Sequence, residues 1–248
     1  MTGEELQRYS RHILMREIGG TGQRRLTEAR VLVIGAGGLG APALMYLAAA
    51  GAGHLTVMDG DVVELSNLQR QIIHLDAVGQ NKALSAADTL RRLNPHVEVT
   101  ALPRHFEDAD DVAGYDLVLD GSDSFATRQR VNRACLAAGV PLISAALTQW
   151  EGQLGLFGDG AACYTCVFPE EPAAGLIPTC AEAGVLGPLP GILGAAMAAE
   201  AVKHLTGAGE TLRNRLWLHD ALYGDSRTVT TRRRPDCAAC GTGALPRG

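Results

Sequence analysis

The stretch "VLVIGAGGLG", residues 31 to 40, sets Gly35, Gly37, Gly38 and Gly40 between a β-branched apolar run and an Ala- and Leu-rich one. Strand, G-x-G-x-x-G and helix in that order make a phosphate-holding loop, because residues without Cβ let a phosphate reach backbone N–H groups at a helix N-terminus. Asp59 closes the next apolar run, where a carboxylate can accept a hydrogen bond from a ribose hydroxyl. NAD and ATP both carry that ribose, and an aspartate in the turn "MDGD" is equally an ordinary turn residue. Asp59 therefore does not choose between them.

The charged residues farther along do choose. The connection "VVELSNLQRQIIHLDAVGQNKALSAADTL" brings Arg70 and Lys82 beside the same crevice. Lys82 falls in a first helical turn, where the macrodipole disfavours a cation by roughly a few tenths of a kcal/mol. A bound polyphosphate would reverse that penalty, since it attracts both the lysine and the helix N–H groups. Alone, Lys82 would read as a solvated surface lysine. It does not stand alone, because "YDLVLDGSD" ends a strand in Asp120 and Asp123. In a doubly wound sheet that strand neighbours the first one, so "DGSD" faces the glycine loop across the topological switch point. One such carboxylate could be a helix N-cap. With two cations converging on the crevice a magnesium ligand is the better reading, as Mg²⁺ is commonly held by one or two carboxylates plus phosphates. The composite points to ATP and Mg²⁺ rather than to NAD.

Four of the six cysteines form two C-x-x-C pairs, Cys163 with Cys166 and Cys237 with Cys240. Four thiolates at that spacing make a closed, tetrahedral structural zinc site. A thioredoxin-type redox pair is the alternative, but neither pair reads as following a strand and opening a helix. Cys135 lies on the apolar side of "RQRVNRACLAAGV" and reads as core. Cys180 stands in the loop-like "GLIPTCAEAGVLGPLPG", where it is either an accessible nucleophile or simply a loop cysteine.

Placing these residues takes an alternation of strands and helices. The patterning gives a helical arm over 4–28, strands at 30–35, 54–59, 97–102, 115–120 and 140–146, and helices at 39–50, 81–93 and 124–138. That is an α/β protein with a mainly parallel sheet and right-handed crossovers. After "EGQLGLF" at 151 to 157 the chain is punctuated by Gly, Pro and Cys, then gives an Ala-rich helix to about 205 and a hairpin in "RLWLHDALYGDSRTVTTRRR". The second half should extend the same sheet. A 248-residue chain that is 46% hydrophobic can bury one continuous core. Its net charge of -5 offers no general attraction to nucleic acid or anionic membrane. The N-terminal residues lack the apolar core of a signal peptide, and the uncharged stretch Ala183 to Ala199 is short and broken by Pro188 and Pro190, so a buried helix in a cytoplasmic protein is expected.

In order and context, "RYSRHI", "GAGGLG", "SNLQRQ", "GQNKA", "DGSD", the two C-x-x-C pairs and "CAEAGVLGP" resemble one family over nearly the whole chain. It is the sulfur-carrier adenylyltransferase family of ThiF/MoeB/HesA type, the activating enzymes of molybdopterin-synthase and thiamine biosynthesis, related to the adenylation domains of ubiquitin-activating enzymes. The resemblance implies a Rossmann-like sheet with helices on both faces, extended by antiparallel strands and a four-cysteine zinc site. It implies that the C-terminal Gly-Gly carboxylate of a ubiquitin-like sulfur carrier attacks the ATP α-phosphate, giving acyl-adenylate and pyrophosphate. Asp59 then corresponds to the ribose contact, Arg70 and Lys82 to phosphate clamps, Asp123 to the magnesium ligand, and Arg11 to an arginine reaching a neighbouring subunit's ATP site in a homodimer. Gly35, Gly37, Gly38, Gly40, Asp61, Asn67, Gln71, Asp120 and Ser122 complete the implied nucleotide site. Cys180 matches a cysteine that some relatives use in sulfur transfer. On this reading residues 1–248 form one ThiF-type domain: an arm (1–28), a nucleotide-binding half (29–157) and a zinc-bearing, carrier-binding half (158–248). With only a few residues after "CAACG", the expectation is that sulfur comes from a separate donor protein rather than from a sulfurtransferase domain of the same chain. An NAD-dependent oxidoreductase is the alternative from another reaction class, although no His or Tyr is placed for its proton transfer. A non-catalytic carrier-binding scaffold sits poorly with intact Arg70, Lys82 and Asp123. An enzyme activating a small carboxylate, such as one on a modified tRNA, stays open, with the net acidity weighing mildly against it.

Overall fold

The apolar run ahead of the glycines forms β1 (Arg30–Ile34), buried from its second residue onward, as a central parallel strand covered on both faces must be. The computed structural model to which it belongs describes residues 1–171 and 184–241. Cys180 lies outside the described residues. β2 (His54–Met58) and β4 (Leu117–Asp120) flank β1 in parallel, with β3 (Glu98–Leu102) beyond β2. β5 (Leu142–Thr148) joins β4 in parallel, and β6 (Glu151–Phe157), β7 (Arg215–Asp220) and β8 (Asp225–Thr230) continue the same sheet antiparallel. The order β3-β2-β1-β4-β5-β6-β7-β8 makes one eight-stranded sheet, and the order in which the chain adds strands reverses between the parallel β1 and β4. Ile34 is level with Met58 on one side and Asp120 on the other, so the loops leaving β1, β2 and β4 emerge side by side.

Alternate residues of β1 feed two cores. Val31 and Val33 enter one with Leu44, Leu47, Leu90 and Met197, under α4 (Gly40–Ala50), α5 (Lys82–Leu93) and the Ala-rich α8 (Pro188–Thr206). Leu32 and Ile34 enter the other with Val131, Cys135, Phe157 and Tyr164, under α6 (Phe125–Ala138) and the single turn α7 (Tyr164–Val167). Cys135 is core as expected, and burial pushes its thiol up to about 12. Gly194 of α8 abuts Leu39 O and Pro42 so closely that a Cβ would stand 2.4 Å from each, which fixes α8 against α4. Among the described residues no helix is long and apolar enough to cross a membrane.

The helical arm over 4–28 consists of three helices, α1 (Gly3–Arg8), α2 (Ser10–Ile13) and α3 (Gly19–Glu28). Its first break falls at Tyr9, which leaves the helix line to bury its ring against Gly51 and accepts through its hydroxyl from Asn94 Nδ2 at 2.8 Å. β5 begins at Leu142 rather than 140, because α6 is closed by Gly139 in the left-handed region at φ 69° and Pro141 follows.

Candidate active site

The glycine loop leaves β1 with Gly35 at φ 88°, a conformation that L side chains rarely adopt. At Gly40 the loop folds so tightly onto itself that a Cβ would lie 1.8 Å from Gly35 O, so only glycine can open α4 here. A Cβ on Gly35 would stand 3.1 Å from the Gly121 backbone, which brings the glycine loop and the "DGSD" loop into contact across the switch point, as expected.

Asp59 is buried, and its carboxylate accepts from Ala36 N–H at 2.8 Å and Asp61 N–H at 2.9 Å. It thus braces the glycine loop from the end of β2. Lys82, the first residue of α5, is also buried rather than solvated, with 8% of its surface exposed, and its Nζ lies 3.0 Å from Asp61. Arg70 lays its stem on Gly38, where a Cβ would stand 3.6 Å from its Cγ, and donates to Ser66 O. Asn67 accepts from Glu64 N–H in the same turn. Gln71 is 5% exposed, packs near Gly37, and its Oε1 has no partner among the described residues.

On the "DGSD" side, Asp120 is fully buried, and its two oxygens accept from Ser122 N–H and from the Ser144 hydroxyl. Burial pushes its carboxyl above the usual range. In this geometry Asp120 shapes the loop rather than facing the crevice. Asp123 is exposed. The helix N-cap, which either aspartate could have supplied, is Ser124, whose hydroxyl accepts from Thr127 N–H. The Ser122 hydroxyl is buried and without a partner among the described residues. Orphaned polar atoms on the connection bearing Arg70 and on the "DGSD" loop, Gln71 Oε1 and Ser122 Oγ, fit a crevice that takes a polar ligand.

Two residues of the site were missed in the sequence. Asn81 caps α5 and donates through Nδ2 to Asp59 O and Asp61 O, tying α5 to the end of β2. His74 is 2% exposed and lies behind the glycine loop, with Nε2 2.8 Å from Ala36 O. Burial holds its imidazole below the usual range. A histidine in the apolar run "QIIHL" was the available signal.

The four cysteines of the C-x-x-C pairs are buried, with sulfur atoms all within 4.8 Å of one another and three pairs at 3.4 to 3.7 Å. Tetrahedral zinc at about 2.3 Å from each sulfur sets neighbouring thiolates about 3.8 Å apart, so the cage fits such an ion. Backbone N–H groups of Arg234 and Ala239 point at Cys166 and Cys237 sulfur. Burial pushes the Cys237 thiol up, but hydrogen bonds from the N–H groups of Ala239 and Cys240 and from the Cys166 and Cys163 thiols together bring it down to about 7. Cys163 does open a short helix after β6, so the sequence argument that neither pair opens one is corrected; the closeness of the second pair carries the metal reading instead.

Arg11, on α2, is exposed. Its neighbours anchor it at the amino edge of the sheet: Tyr9 against Gly51 at the end of α4, and Arg8 donating to Leu93 O at the end of α5.

A glycine loop at a topological switch point, walled by buried acidic, basic and amide side chains, defines a nucleotide-binding α/β protein. The chain belongs to the ThiF family, whose model matches residues 9–239. It is 49% identical over 245 residues to the SAMP-activating enzyme E1 of Haloferax volcanii, covering 97% of this chain and 91% of that one. To the sulfur carrier protein adenylyltransferase of Thermus thermophilus it is 47% identical over 250 residues, covering 97% and 92%. The fold is similar to the crystal structure of E. coli MccB with AMPCPP and MccA, with a TM-score of 0.83 and 25% identity, covering 97% of this chain and 77% of that one.

Proposed function

We propose that this chain adenylates the C-terminal Gly-Gly carboxylate of a ubiquitin-like sulfur-carrier protein, using ATP. The observation that carries this reading is the contact of the glycine loop with the "DGSD" loop, beside buried Asp59 and Lys82. The name of the Thermus relative supports the substrate class. The chain is accordingly a nucleotidyltransferase. A carboxylate oxygen of the carrier attacks the α-phosphorus, the bond from that phosphorus to the bridging oxygen breaks, and pyrophosphate departs with the electron pair. Both reactants are anions, so the protein's work is positioning and charge neutralisation. Arg70 and Lys82 supply positive charge, the loop N–H groups supply donors, and Asp59 holds the ribose end. Asp123, exposed at the crevice, would hold magnesium, which supplies further positive charge to the polyphosphate.

Cys163, Cys166, Cys237 and Cys240 would hold zinc as a structural crosslink between the C-terminal segment and the middle of the chain. The four unpaired thiols suit a reducing, cytoplasmic setting. The half from 158 to 248 receives the carrier, and a separate protein donates the sulfur that turns acyl-adenylate into thiocarboxylate. The protein works as a homodimer. Val62, Leu65, Ile72, Leu75 and Val78 are exposed on the connection that carries Arg70, a run of apolar surface suited to a second copy.

The test is Mg²⁺-dependent exchange of pyrophosphate into ATP, with candidate carriers added one at a time. Exchange should require a carrier with a free Gly-Gly carboxylate. Exchange that ignores the carrier, or that no carrier elicits from verified folded protein, would overturn the reading.

A further inference from the structure

We propose that His74 is a positioning residue for the phosphate loop: it turns the Ala36 carbonyl into the protein and thereby aims the Gly37 N–H at the nucleotide. This rests on the reading of the crevice as an ATP site.

A carbonyl can only accept, so the His74 Nε2, 2.8 Å from Ala36 O, carries the proton. Nδ1 then accepts from the Ser85 hydroxyl at 3.0 Å, which fixes that tautomer. The other side of the same residue is also held, because Ala36 N–H donates to Asp59. Both peptide planes of Ala36 are therefore fixed, one by a carboxylate and one by an imidazole.

No peptide bond among the described residues is cis. In a trans peptide the C=O and the following N–H point in opposite directions. With Ala36 C=O turned inward to a buried imidazole, Gly37 N–H is turned away from it, on the crevice side of the loop. That N–H has no acceptor among the described residues. The plane needs a restraint, since Gly37 has no Cβ to resist its flipping. His74 also reaches α5 through Ser85, one turn after Lys82. One imidazole thus sets the glycine loop against the helix that presents the lysine. Space filling alone would not call for two hydrogen bonds at this position, and the adjacent Ile73 already fills the core with no surface exposed.

The experiment compares binding of ATP with Mg²⁺ by calorimetry in wild type, His74→Gln, His74→Asn and His74→Phe, with melting of each nucleotide-free protein and competition by adenosine, which has no phosphate. Glutamine can keep a donor near the Nε2 position, whereas asparagine keeps only the group that faces Ser85. His74→Asn and His74→Phe should weaken ATP about tenfold, the scale of leaving one buried carbonyl without its partner, and His74→Gln should recover most of the loss. Adenosine should bind alike in all four. The proposal is overturned if Asn and Gln bind ATP equally, or if adenosine affinity falls together with ATP affinity. Wild-type protein that binds no ATP would instead remove the adenylation reading and this proposal with it.

Discussion

Asp123 is the carboxylate on which the charge argument turns. Asp59 and Asp120 are buried and accept from backbone N–H groups or the Ser144 hydroxyl, while Asp123 is exposed beside the crevice. Asp123→Ala should lower pyrophosphate exchange by at least about a hundredfold, the scale of losing a main electrostatic stabiliser, with the melting temperature nearly unchanged. Near-normal exchange in that variant would remove the magnesium assignment. The same contrast explains what could be read in advance. Asp59, Lys82 and Asp123 stand at strand and helix ends, where sequence position alone indicates the carboxyl edge of a sheet. His74 and Asn81 act on the carbonyls of Ala36, Asp59 and Asp61. Backbone partners leave no mark in side-chain spacing, so these two residues escaped notice.

At the scale of elements, the cysteine cage is joined to α6 by a buried polar ladder. Gln129 donates to Phe168 O and accepts from Thr165, Asn132 donates to Thr165, and Tyr164 N–H donates to Asn132. α6 is the helix launched by "DGSD", so the turn bearing Cys166 rests on the element that begins at the proposed active site. Cys237→Ser should lose the metal and lower the melting temperature together, because forming such a site contributes to folding. Metal analysis of carefully purified protein should find one zinc per chain. Absence of zinc with four freely titrating thiols would refute the assignment. The central strands β1, β2, β4 and the first half of β5 were legible because they are apolar runs buried on both faces. The division of the arm was not, because its first break falls at Tyr9, whose ring packs on Gly51, a contact between distant parts of the chain.

At the scale of the whole molecule, the arm decides between two ways of using Arg11. The phosphate loop lies at the carboxyl edge of the sheet, at the N-terminus of α4, whereas Tyr9 and Arg8 moor the arm at the C-terminal ends of α4 and α5. An eleven-residue helix such as α4 is about 16 Å long at 1.5 Å per residue, so Arg11 starts roughly a helix length from its own glycine loop. An exposed arginine so placed suits a site in a twofold partner better than its own. Separately inactive Arg11→Ala and Asp123→Ala chains, mixed, test this. In the mixed dimer the Arg11→Ala subunit keeps Asp123 and receives its partner's intact arginine, so one site is whole. Random exchange makes roughly half the dimers mixed, each with one working site of two, so about a quarter of wild-type exchange activity should return. If Arg11 serves its own chain, every site lacks one group and nothing returns. Verified subunit exchange without recovery would therefore rule out catalysis in trans.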